Sequence, residues 1–213
     1  MRLNDQPIFV LLVWAVLGIT ILMALWQFNL ELAGVCAMAL ALSMAPALFS
    51  QRFDLRVPRS FTLLIVCFAL GTLILGEVYD FYEKYWWWDI LLHGGSALVL
   101  GMCGFLFVFY LFEGDRYAAP PMALAFIGFC FAVMVGAVWE IFEFVMDQSF
   151  GLNMQKSGLV DTMWDLIVDV IGATLGAGAG YLYLAAKLRV GPPGMIAEFV
   201  SENRRKLFRR ARD

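Results

Sequence analysis

The chain has 213 residues, of which 62% are hydrophobic and 15% charged, with a mean hydropathy of +0.78 and a formal net charge of −3 at pH 7. Such an apolar balance excludes a freely soluble domain, and apolar runs of roughly 20 residues are long enough to cross a bilayer. The four cysteines, Cys36, Cys67, Cys103 and Cys130, fall in four different apolar runs with no Cys-x-x-Cys spacing, so they read as small hydrophobes and exclude a thiol-based zinc or redox motif.

Six spans follow along the chain, at about Ile8 to Trp26, Leu32 to Phe49, Phe61 to Val78, Ile90 to Phe112, Met122 to Met146 and Thr162 to Ala186. The first is too long for a signal-peptide core and no small-residue cleavage site closely follows it, so it reads as a retained helix. Apolar runs of this length satisfy their backbone in lipid as helices. The expected fold is therefore all-α, a six-transmembrane-helix bundle over residues 1–188.

Orientation follows from the basic residues. Arg2, Arg52, Arg56, Arg59, Arg116 and the eight from Lys187 to Arg212 alternate with loops that hold only Lys84 and Lys156. The positive-inside rule puts both termini in the cytoplasm, an N-in/C-in topology suited to a bacterial inner membrane. The acids run the other way. Eleven lie on the outer half against two cations, a net of −9 there, while the inner half carries +6. A mouth this negative attracts cations and repels free anions unless a bound cation inverts the field.

Tyr82, Tyr85, Trp86, Trp87 and Trp88 precede the fourth span, where amphipathic rings anchor at the headgroup layer. In the sixth span Gly172, Gly176 and Gly180 repeat every four residues, a face on which another helix can approach closely. At 100° per residue Asp169 lies within roughly 20° of Gly176 and Gly180, which turns it into the bundle. Residues 189–213 combine Ile196, Phe199, Val200 and Leu207 with Arg204, Arg205, Lys206, Arg209, Arg210 and Arg212. They predict a basic amphipathic helix whose partner is the anionic lipid of the inner leaflet, ahead of nucleic acid.

The stretch that demands a chemical explanation runs from Gly136 to Gly180, with Glu140, Glu143, Asp147, Asp161, Asp165 and Asp169 in or beside two oily segments. Ionisable groups at such depth are expensive and mark functional sites by default. Asp89 and His93 are spaced i, i+4, Glu140 and Glu143 i, i+3, and Asp161, Asp165 and Asp169 i, i+4, i+8, so each set leaves one side of its helix. Glu140 is expected about 10 Å inside the outer end of its span, and Asp165 and His93 each about 6 Å beyond Asp161 and Asp89. Glu77 is a further contributor by depth. Lys84 and Lys156 are loop residues and poor candidates for neutralising the deeper acids. Carboxylates held this close cannot all ionise alone, so either some keep protons or a cation sits among them.

A divalent metal is one solution, with Asp89, His93, Glu140, Asp161 and Asp165 as ligands. Oxygen donors with one imidazole suit Mg²⁺, Mn²⁺, Ca²⁺ or Zn²⁺, whereas carboxylate-bridged di-iron bundles use two histidines and this chain has one. Glu143 and Asp169 are then candidates for the general base. A proton-sharing acidic cluster and a hydrogen-bonded network with Trp139, Trp164, Thr162 and Ser96 are the other solutions. No nicotinamide, flavin or haem signature is present.

The segments WWDILLHGGSALVLG, WEIFEF and DTMWDLIVDVIGATLGA resemble the bacterial inner-membrane YjdF family, a group of uncharacterised membrane proteins. They are similar, more distantly, to the VanZ-like proteins associated with glycopeptide resistance. The likeness covers about Asp80 to Gly180 and implies that Asp89, His93, Glu140, Asp161, Trp164 and Asp165 are the family's polar positions. VanZ-like proteins tend to carry Asn where Asp169 stands and Gln near Glu143, so this site is the more acidic. Three functions stay open: an outer-leaflet enzyme acting on a lipid-linked or phosphate-bearing envelope substrate, a non-catalytic assembly subunit or homo-oligomer, and a proton- or cation-coupled transporter.

Overall fold

Long apolar stretches without periodic polar residues leave the chain no way to hide its peptide groups in lipid except in helices. The computed structural model, which describes residues 6–53, 57–112, 119–151 and 153–185, consists of helices with no strand among them. Six are long and apolar enough to span a membrane. In chain order they are α1 (Ile8–Trp26), α2 (Leu30–Phe53), α3 (Arg59–Ala69, continuing to Val78), α5 (Trp88–Leu111), α6 (Pro121–Phe150) and α7 (Leu159–Ala185), with the short α4 (Phe81–Lys84) between the third and fourth spans. The predicted basic tail lies outside the described residues.

The ends depart from the sequence-based bounds for local reasons. α2 starts early because Asn29 Oδ1 accepts the Leu32 N–H at 3.0 Å, an N-terminal cap. α6 runs past Met146 to Phe150 and stops at Gly151, whose φ of 67° is the left-handed conformation that closes helices. The second half of the third span, Leu70–Val78, is wound as a π-helix, and Tyr79 N–H completes the pattern on Ile74 O at 3.0 Å. Within this segment Gly71 O accepts the Trp88 indole N–H at 3.3 Å. Trp88 in turn meets Phe81 edge-on, with centroids 5.1 Å apart, inside the aromatic cluster that the sequence places at the headgroup layer.

The described chain forms two units, one up to Trp88 and one from Asp89 onward. In the first, α1, α2 and the π-helical segment pack around Leu17, Cys36 and Ala39, with Ile21, Leu32 and Leu73 against them. Glu77 belongs to this unit. In the second, α5, α6 and α7 approach through glycine. A Cβ on Gly172 would collide with Gly94 O, one on Gly176 with Leu98 O, and one on Gly180 with the Phe105 ring. Gly128 faces Phe105 N in the same way, with only 2.6 Å available for a Cβ. The α7 stripe is therefore covered by α5 of the same chain. Without a hydrophobic driving force between helices in lipid, such close backbone packing is what holds the three together.

Candidate functional site

The same close approach brings the acids together. Asp89 stands in the first turn of α5 and His93 one turn further, Glu140 projects from α6, and Asp165 and Asp169 leave one side of α7. Asp169 shares its face with Gly172 and Gly176, so packing those glycines onto α5 drives the carboxylate into the interior. Asp165 is 3% exposed, Asp169 2% and Glu140 4%. Side chains of Asp89 and His93 retain 27% and 11%, so Asp89 is the most open member of this group.

His93 is the hub. Its Nε2 is 3.8 Å from Asp89 Oδ1 and 3.9 Å from Glu140 Oε1, and its Nδ1 is 3.4 Å from Asp169 Oδ1. One ligand atom each from Asp89, His93 and Asp165 lies within 4.8 Å of the other two, a span that one ion can bridge. Both Glu140 carboxylate oxygens are buried without a hydrogen bond of ordinary geometry, although Thr162 and Gln155 face them. Asp169 Oδ2 is buried in the same condition. An unmet carboxylate in a low-dielectric interior costs several kcal/mol unless a proton or cation meets it.

Of the residues singled out from the sequence, Asp89, His93, Glu140 and Asp165 converge, and Asp169 stands directly behind the imidazole. Asp161 lies in the first turn of α7, outside the converging four but within Coulombic reach of Asp89 and Asp165. Glu143 is half-buried beside the group. Its Oε1 accepts the Trp139 indole N–H at 2.9 Å, which fixes one oxygen within Coulombic reach of Glu140, His93 and Asp89. Asp147 has a different task. Its two oxygens accept the N–H groups of Met154 and Gln155 at 2.7 and 2.9 Å, ordering the α6–α7 loop. Ser96 donates to His93 O at 2.9 Å and Trp164 is exposed, so neither joins the acids as part of a polar network.

Three residues escaped the sequence-based view. Gln155 Nε2 donates to Thr162 Oγ1 at 2.6 Å and to Glu140 O at 3.5 Å, tying the loop over the buried acid. Lys156, a loop lysine, has a buried ammonium and lies within Coulombic reach of Asp89, the most open of the acids. Gly136 leaves the space that Asp169 Oδ2 occupies, since a Cβ there would collide with that oxygen. The first two carry no sequence signal, because their positions depend on how Asp147 folds the loop. A glycine one turn before Glu140 in an otherwise bulky segment was the available hint for the third.

The profile of a family described as predicted membrane proteins, DUF2238, matches residues 8–186, which take in all six spans and every acid of the cluster. The chain belongs to the DUF2238 family. This agrees with the YjdF-like, uncharacterised membrane family that the residues resemble. A Thermotoga maritima protein described as uncharacterised is 27% identical over 128 residues, 60% of this chain and 65% of that protein, so the chain matches just under two thirds of that relative's length. No solved structure matches. The chain is thus an integral, multi-pass membrane protein of the DUF2238 family, with a lipid bilayer as its surroundings.

Proposed function

We propose that the second unit binds one divalent cation, Mg²⁺, Mn²⁺, Ca²⁺ or Zn²⁺, and that this DUF2238 protein uses it as an enzyme. Its substrate would be lipid-linked or phosphate-bearing and would lie at the outer face of the bacterial inner membrane. The observation that carries this reading is the gathering of one ligand atom each from Asp89, His93 and Asp165 within 4.8 Å of one another, beside Glu140, a buried carboxylate whose facing side-chain donors, Thr162 and Gln155, are both neutral. Neutral donors leave the charge of a buried carboxylate cluster uncompensated, and a cation supplies what they cannot. Asp89, His93, Asp165 and Glu140 would hold the ion, with Asp161 near enough to support it electrostatically. Such an ion polarises a phosphoryl oxygen or lowers the pKa of a bound water. Glu143, held by Trp139 at the half-buried side of the site, is the residue best placed to take a proton. Asp169, fully buried against the far ring nitrogen, is not.

A second reading rests on the imidazole itself. A protonated His93 would lie within 3.4–3.9 Å of three carboxylates and serve as their internal counter-charge. A proton-coupled carrier or a structural subunit would use such a network without a metal.

Elemental analysis of protein purified without chelators, wild type beside D165N and H93A, separates the two. Near-stoichiometric metal in the wild type that is lost in both variants, with a changed envelope lipid composition in cells carrying them, supports the enzyme. Metal content and envelope lipids that match in all three overturn it.

A further inference from the structure

We propose that Asp169, seated in the space that Gly136 leaves open, is a positioning residue that holds Nδ1–H of His93 and thereby directs Nε2 at the cation. The inference deepens the metal reading by naming which ring nitrogen binds and what aims it. The two faces of the imidazole have unlike neighbours. Nε2 looks toward Asp89 and Glu140, two of the proposed ligands, at 3.8 and 3.9 Å. Nδ1 has Asp169 Oδ1 at 3.4 Å, and that carboxylate is 2% exposed, so it cannot itself meet a substrate or water. A metal-bound imidazole commonly gives its other N–H to a carboxylate, which fixes the tautomer and the ring plane.

Gly136 makes this possible. Asp169 Oδ2 fills the space where a Cβ of residue 136 would stand. Any side chain at 136 would push the carboxylate off the ring. Asp169 also sits one turn before Gly172, whose approach to Gly94 O fixes the height of α7 against α5. Backbone packing thus places both partners of the pair, one from each helix.

His93 is the chain's one histidine, so labelling histidine with ¹⁵N in a protein purified without a histidine tag gives spectra of this ring alone. The wild type, D169A, D169N and G136A are compared metal-free and with Zn²⁺. In the wild type a downfield, hydrogen-bonded Nδ1–H proton is expected in both states, with Zn²⁺ shifting Nε2. D169A and G136A lose that proton signal and bind Zn²⁺ about 10–100-fold more weakly. D169N, whose amide oxygen still accepts, restores the signal and most of the affinity. A purely structural Asp169 would lower the unfolding temperature of D169A and leave its Nδ1–H resonance in place, which overturns the proposal, as does Zn²⁺ bound through Nδ1. A wild-type Nδ1–H signal that depends on Asp169, with no response to Zn²⁺, would sink the metal reading while the pairing of Asp169 with His93 survives.

Discussion

Replacing Glu140 by Gln separates a charge awaiting a cation from a charge that merely sits in a scaffold, because the two accounts give opposite signs. The carboxylate is 4% exposed and only the neutral side chains of Thr162 and Gln155 face it as donors, so without a cation its buried charge is poorly compensated, at a cost of about 1–3 kcal/mol. A glutamine amide is neutral and offers two N–H donors toward Asp89 and the Nε2 side of His93. In EDTA, E140Q should therefore unfold at a higher temperature than the wild type. At about 2–4 °C per kcal/mol for a chain of this size the rise is about 2–12 °C. With Mn²⁺ at about 100 times its dissociation constant the wild type gains about 2.7 kcal/mol, or about 5–11 °C, by mass action. E140Q, short of one charged ligand, should gain much less. The assay is thermal unfolding in mild detergent, followed by intrinsic fluorescence with and without Mn²⁺. If E140Q melts below the wild type in EDTA, and Mn²⁺ moves both proteins equally or not at all, Glu140 is neither unmet nor a ligand.

Other perturbations test the frame around the site. Asp147→Ala removes two charge-assisted acceptors from the Met154 and Gln155 N–H groups and should cost about 1–3 kcal/mol, read as a lower unfolding temperature and faster proteolysis of the loop carrying Lys156. Gly176→Ala puts a Cβ into the backbone carbonyl of Leu98, which cannot swing aside, so α7 must move at a cost of about 1–3 kcal/mol. Gly178→Ala meets nothing and should be neutral or stabilising by up to about 1 kcal/mol, so the pair of melting curves checks the packing of one face against the other. The N-in/C-in topology predicts that a reporter active only in the cytoplasm works at the C-terminus and fails when inserted at Ser157; the reverse pattern would place the acidic end inside.

Sequence by itself determined the class of the protein, because hydropathy acts locally: a run of apolar residues long enough to cross a bilayer has one way to satisfy its peptide groups, and neighbours elsewhere in the chain do not alter that. Helical spacing also determined that Asp169 points inward with Gly176, and that Asp89 pairs with His93, since positions four apart share a face whatever the fold. What the tertiary structure decided was which faces meet, and this depends on distances between residues far apart in the chain. Asp165 and Asp169 look alike in sequence, four residues apart on one helix. Only the packing of Gly172 and Gly176 onto Gly94 and Leu98 sets Asp165 among the gathered ligand atoms and Asp169 behind the imidazole. The same holds for Asp147, an outer acid by sequence and a loop anchor in space. It holds too for Lys156, whose ammonium is buried near Asp89 because a loop closed by Asp147 and Gln155 carries it there.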